Sequence, residues 1–315
     1  MSGVVANELR QPGAEPAASE PTRLRRAAAD FWLDAFFRLA PRAPAVTRAL
    51  RPLIARGAYR CSPSIRAATA ANARRILGPD ATSAQAHAFG RGVVSSFFDF
   101  VCDIAQSLHF SREQLLARID AIEGHDRYLA ARSARRGAII ATAHLGSFEA
   151  GVAALLEHEK TMHVVFKRDA SRFEQVRSAL RGKLGVVEQP VNDGWGMWLR
   201  LRDALGRDEV VMIQADRVMP GQKGVRVPFL HGHLLLPSGP IKLAIASGAP
   251  IIPVFAIRAP NGRIRIHVED AIIAHASDES PHPALLQFAR ILEQYVRAFP
   301  QQWLLLQNAF CEDSS

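Results

Sequence analysis

The stretch Ala138-Ile-Ile-Ala-Thr-Ala-His144-Leu-Gly-Ser-Phe-Glu149 decides the fold class of this chain. Its first six residues are apolar or β-branched and unbroken, the composition of a short strand buried on both faces. Gly146 then allows a tight turn, Ser147 suits the N-cap of a helix, and Glu149 falls in the first turn of that helix. The strand delivers His144 into the loop at its carboxyl end, the edge where open α/β sheets bind ligands.

The same alternation runs through the chain from residue 137 onward. Strands are predicted at Ala138–Ala143, Met162–Lys167, Glu209–Gln214, Val225–Leu230, Ile251–Ile257 and Ile264–Glu269. Helices are predicted at Ser147–His158, Ser171–Leu184, Trp195–Leu205, Pro240–Ser247 and Pro283–Phe299. Strands alternating with helices define an α/β fold, a mostly parallel central sheet flanked by helices. Upstream, residues 63–118 read as helical, punctuated by Pro79, Ser83 and Ser111. Residues 61–315 are assigned to one catalytic domain.

The N-terminus differs. Residues 1–22 carry Pro, Gly, Glu, Ser and Ala without periodicity and read as a disordered tail. They lack the apolar run of a secretory signal. Residues 23–60 combine Arg23, Arg25, Arg26, Arg38 and Arg42 with Phe31, Trp32, Leu33, Phe36, Phe37 and Leu39 at helical spacing, cut short by Pro41, Pro44 and Pro52. This N-terminal helical segment is too short to span a bilayer and suits its interface. An ordinary helix packed on the core fits the pattern equally well.

Of the 315 residues, 48% are hydrophobic, enough for a large core, and the formal charge is +9. Such an excess favours anionic partners: nucleic acid, an acidic carrier protein, phosphate esters or an anionic membrane. Cys61, Cys102 and Cys311 are far apart and show no ligand spacing, so neither a disulfide framework nor a metal site is expected. His158 and His163 sit one residue too far apart for a zinc-protease pair, and His231-Gly-His233 reads as a turn. Without a nucleotide-binding glycine loop or a serine elbow, no cofactor is expected.

Chemistry centres on His144. A carboxylate at Glu149 can hold one imidazole tautomer and stabilise the imidazolium, leaving His144 a general base toward a hydroxyl. With 11 histidines and 30 acidic residues, about one His-x4-acid pair arises by chance, so spacing alone decides nothing. A strand-capping His144 and a helix-dipole Glu149 explain it too.

Two further blocks supply context. One is Val210-Val-Met-Ile-Gln-Ala-Asp216-Arg217 with Gly224-Val-Arg-Val-Pro228-Phe229-Leu-His-Gly232. The other is Leu236-Pro-Ser238-Gly239-Pro, running to Gly-Ala-Pro250-Ile-Ile-Pro253. Together with the His144–Glu149 block, and in this order, they resemble the lysophospholipid acyltransferase superfamily and its lipid A (lauroyl/myristoyl) acyltransferase branch over about residues 65–310. The chain departs from that branch in having Asp216-Arg217 where Asp-Gln-Asp is common, and only a broken apolar stretch where an anchor helix is usual.

The resemblance implies transfer of a fatty acyl group from an acyl carrier protein or CoA thioester to the hydroxyl of a lipid or glycolipid, at the cytoplasmic face of the bacterial inner membrane. It makes His144 and Glu149 the catalytic pair, the HX4E motif of the family. Arg168 (or Lys167) and the backbone at Ser238 and Gly239 become candidate donors to the oxyanion, and Asp216 and Arg217 candidate substrate-binding residues. A salt bridge at a strand end accounts equally for Asp216 and Arg217. The rival readings are a basic nucleic-acid-binding protein, which lacks a recognition motif and has only 7% aromatics for stacking, and a non-catalytic or hydrolytic lipid-binding relative. A nucleotide-sugar transferase would need a metal-binding acidic pair, and Asp216 stands alone.

Overall fold

The computed structural model describes residues 8–9, 34–219 and 222–311. The tail and Phe31, Trp32 and Leu33 lie almost wholly outside that range. Helices are α1 (residues 34–39), α2 (Pro44–Cys61), α3 (Pro63–Leu77), α4 (Ser83–Ser107), α5 (Arg112–Leu116), α6 (His125–Arg132), α7 (Phe148–Leu155), α8 (Arg172–Leu184), α9 (Trp195–Gly206), α10 (Gly239–Ser247) and α11 (Pro283–Ala298). Strands are β1 (Glu8–Leu9), β2 (Ile119–Glu123), β3 (Ala138–Thr142), β4 (Met162–Phe166), β5 (Val187–Pro190), β6 (Val210–Gln214), β7 (Gly224–Phe229), β8 (Gly232–Pro237), β9 (Ile251–Arg258) and β10 (Ile264–Val268).

Seven of these strands form the central sheet in the order β2-β10-β9-β3-β6-β4-β5. The five from β9 to β5 are parallel, and β10 with β2 runs against them at one edge. Strand β3 lies at the middle with every residue buried. Its alternate side chains serve two cores. Ile139 and Ala141 pack in a cluster with Met197, Leu201, Phe288 and Leu292, whereas Ala138 and Ile140 pack with Tyr128, Val152 and Leu155. Period-two alternation thus fills both faces, as a covered parallel sheet requires.

The crossovers leave the centre in opposite directions. After β3 the chain moves to β4, beyond β6; after β6 its next parallel strand is β9, beyond β3. This reversal makes the carboxyl ends of β3 and β6 a topological switch point, where open α/β sheets bind their ligands.

Four strands were not anticipated, one of them the two-residue β1, which lies in the stretch read as a tail and pairs antiparallel with β7. Ile119–Glu123 and Val187–Pro190 are the two edges of the sheet, and their charges and proline, which protect an edge from further pairing, also hide it from a hydrophobicity reading. Gly232–Pro237 returns antiparallel on β7 through the turn at Leu230 and His231, so the predicted strand Val225–Leu230 belongs to a separate small sheet rather than the parallel one.

At the N-terminal end the prolines do less than expected. Pro44 starts α2, but Pro52 lies inside an unbroken 18-residue helix. Packing offsets the lost backbone bond: Ala55 and Tyr59 are buried against α4, and the Tyr59 hydroxyl lies 2.9 Å from His87 Nδ1. Phe36 and Phe37 turn inward among Phe97, Phe100 and Phe173. Leu39, Val46, Leu50, Leu53 and Ile54 face outward. Among the described residues no helix is long and apolar enough to cross a membrane.

Candidate active site

Parallel register builds the site. Thr142 of β3 is opposite Gln214 of β6, so the residues two positions further on, His144 and Asp216, leave their strands side by side. The Ala215 N–H donates to the Thr142 carbonyl at 2.8 Å and holds the two strand ends together. The His144 loop is clamped from the other side. Leu304 N–H donates to the His144 carbonyl at 2.8 Å, Gly146 N–H to Gln302 at 2.9 Å, and Ser147 N–H to Ala256 at 2.8 Å. Gly146 has φ +66°, and a Cβ there would stand 2.2 Å from the Ala256 carbonyl oxygen, so only glycine fits this turn.

His144 Nδ1 is 2.8 Å from Asp216 Oδ1, and the other oxygen of Asp216 accepts from the Trp303 indole N–H at 3.0 Å. Arg217 Nε lies 3.1 Å from the same Nδ1 and 3.8 Å from Asp216 Oδ2. One ring nitrogen cannot both donate to Asp216 and accept from Arg217. Asp216 has no exposed surface, and a buried carboxylate needs a donor on each oxygen. We therefore assign the proton to Nδ1, with Arg217 acting on the pair by charge. Nε2 then carries the lone pair, on a side chain that is 26% exposed.

Charge and burial agree with that assignment. Burial pulls the imidazole below its ordinary value; Asp216 opposes this, while Arg217 and Arg177 add to it. His144 is therefore neutral at pH 7, the form a base requires. Burial works against ionisation of Asp216, but His144, Arg217 and the hydrogen bond from Trp303 outweigh it, and the carboxylate stays charged.

Glu149 is elsewhere. The carboxylate against the imidazole is Asp216, and no hydrogen bond joins Glu149 to His144. Helix α7 begins at Phe148, whose ring stands edge-on to the imidazole, and Glu149 turns toward α8, where its Oε1 accepts from Arg177 Nε at 3.1 Å. Its Oε2 is buried without a partner among the described residues, and burial raises its pKa against the pull of Arg177. An orphaned buried carboxylate oxygen is a mark of function more than of stability.

The other predicted residues are not gathered at the imidazole. Arg168 follows β4 at the same sheet edge, is largely exposed, and meets Asn192 and Asp193 instead. Ser238 occupies the N-cap of α10 without a side-chain cap bond, and Gly239 packs under Trp198. No hydrogen bond among the described residues joins Arg168, Ser238 or Gly239 to His144 or Asp216. Ser147 takes the expected N-cap position, but its hydroxyl donates to Asp103 Oδ2 at 2.7 Å. Sequence reasoning missed Arg177 and Trp303. Nothing local marks them: Trp303 is 159 positions from His144, and Arg177 is one of many exposed-looking arginines on an amphipathic helix.

The fold and this edge-mounted pair define an α/β protein with a carboxylate-paired imidazole at the carboxyl edge of its parallel sheet. The chain belongs to the bacterial lipid A biosynthesis acyltransferase family, a family of transferases, whose pattern it matches over residues 23–312. It is similar to the phosphatidylinositol mannoside acyltransferases of two Mycobacterium tuberculosis strains, H37Rv and CDC 1551. Each is 27% identical over 208 residues, 65% of this chain and 65% of the relative's length.

Proposed function

We propose that this protein transfers a fatty acyl group from a thioester, carried by acyl carrier protein or CoA, to a hydroxyl of a lipid or glycolipid acceptor. The observation that carries this reading is the buried Asp216 on His144 Nδ1, which leaves the lone pair on Nε2 of a part-exposed imidazole. The acceptor hydroxyl gives its proton to Nε2 as its oxygen attacks the thioester carbonyl. The tetrahedral oxyanion collapses, the C–S bond breaks, and the thiolate takes the proton back from the imidazolium. Asp216 stabilises that imidazolium. Arg217 and Arg177, the cations acting on His144, offset the oxyanion charge. Glu149, held by Arg177, positions that guanidinium. Arg168 and the α10 amides after Ser238 and Gly239, which no side chain caps, remain substrate contacts at the rim. Cys102 is no acyl carrier, since burial, Asp99 and Asp103 push its thiol up to about 12.

The acceptor class is supported by family membership and by the relatives' glycolipid-directed names. Mass spectrometry of cellular lipids tests it: without the gene, a lipid lighter by one acyl chain should accumulate. An unchanged lipid profile would sink the reading.

We place the protein at the cytoplasmic face of the inner membrane. Val46, Leu50 and Leu53 form an exposed apolar stripe at helical spacing on α2, with the exposed Arg56 beside it. Leu50→Glu with Leu53→Glu should strongly reduce co-sedimentation with anionic vesicles. Undiminished sedimentation would put the contact elsewhere.

A further inference from the structure

A cavity separate from the His144–Asp216 pair opens close to it. It lies on the β9 side of the His144 loop, has a volume of about 830 Å³, and reaches Gly146, two residues from the base. A second hollow, of about 430 Å³, adjoins it and shares Arg48, Arg118, Pro260 and Gly262. Because β9 is the parallel neighbour of β3, its terminal Arg258 enters the cavity at the same carboxyl edge that presents His144.

The lining is cationic. Arg48, Arg51, Arg118 and Arg258 line the cavity with Asp99 and Asp103, and Arg263 lines the adjoining hollow. Arg51 is neutralised by a two-pronged contact with Asp99, at 2.7 Å on each side. Asp103 is shared by two guanidiniums, Arg118 and Arg258, and also accepts from Ser147 at 2.7 Å. Arg263 leans on Asp120 at 3.4 Å, outside the hollow. Arg48 is exposed on α2 and has no hydrogen bond or ion pair among the described residues. After every pairing the cavity keeps the charge of Arg48 and of one guanidinium in the Asp103 cluster. Two uncompensated cations in a concave site call for an anion, and guanidiniums match phosphate oxygens in geometry as well as charge.

The wall nearest that charge tells which phosphate. Pro44, Thr47, Arg48 and Arg51 of α2 line the cavity, and the opposite face of the same helix carries the outward Val46, Leu50 and Leu53. A single helix therefore separates a phosphate-seeking hollow from an apolar surface, the arrangement that fits an amphiphile with an anionic head. We propose that this cavity binds the phosphate-bearing headgroup of a membrane lipid, with Arg48 as a direct contact, and so sets the acceptor beside His144. The proposal rests on the lipid-acceptor reading above, and extends it by naming a headgroup phosphate and a place for it.

Binding is separable from catalysis, so calorimetry can test the two apart. The probe is dihexanoyl-phosphatidylinositol below its micelle concentration, titrated into the full chain, with neutral dihexanoylglycerol and CoA as parallel arms. The wild type and His144→Ala should bind the phosphorylated lipid alike. Arg48→Gln should weaken that binding roughly tenfold and Arg48→Lys much less, as expected for one charge-assisted contact. Since Arg48 is exposed and has no pairing among the described residues, neither substitution should disturb the fold. The proposal is overturned by equal binding in wild type and Arg48→Gln, by no binding in the wild type, or by equally tight binding of dihexanoylglycerol. It is also overturned if Arg48→Gln weakens CoA in place of the lipid, which would make the cavity a donor site. Intact lipid binding with no acyl transfer by the wild type would instead strike the function proposed above.

Discussion

His144→Ala should lower acyl transfer by about 10²–10⁴-fold, the range a positioned general base supplies. The neighbours of the ring offer no substitute base: Arg217 and Arg177 are cations, and Asp216 is buried behind it. The loss should fall on kcat, because the base acts only as the hydroxyl proton moves. The fold should survive, since the loop is clamped through its backbone by Leu304, Gly146 and Ser147. Stability should nonetheless fall, because Asp216 loses a donor in a buried position and keeps Trp303 and Arg217 as neighbours. Radiolabelled acyl transfer together with circular dichroism measures both. A folded variant with wild-type turnover would end the general-base mechanism.

Asp216→Asn should cost about as much, up to about 10⁴-fold, with almost no change in shape. An amide must present one oxygen and one NH₂ to two partners that both donate. Either the NH₂ faces the Trp303 indole and that bond is lost, or it faces Nδ1 and drives the imidazole proton onto Nε2, which removes the base. In both cases the charge that stabilises the imidazolium is gone. The pH profile gives the sign. In the wild type the acid limb of kcat/KM should turn below the ordinary imidazole value of about 6.5, since burial and the two arginines outweigh Asp216. In Asp216→Asn the opposing charge is absent, so the residual activity should turn at still lower pH. Glu149→Gln should leave the acid limb in place and reduce activity less, because Glu149 reaches the site only through Arg177. A severe loss in Glu149→Gln with a mild one in Asp216→Asn would reverse the two roles.

Those two carboxylates show where reading along the chain stops. By sequence alone, the alternation around Ala138–Ala143 determined a two-sided buried strand, the glycine and serine after it determined the turn into a helix, and His144 was placed at the ligand-binding edge. These are local matters, set by side-chain period and by backbone freedom over a few residues. The partner of His144 is not local. Asp216 is 72 residues away and meets the imidazole because β3 and β6 pair in parallel with Thr142 opposite Gln214; a slip of one residue would have turned Asp216 to the other face. Glu149 was nearer in sequence, but the direction in which α7 leaves the turn points it at α8. The edge strands and the arginine-lined cavity under α2 were likewise decided by the tertiary structure. Charge that reads as a dispersed excess along the chain becomes a binding site only when packing brings distant helices and strand ends around one hollow.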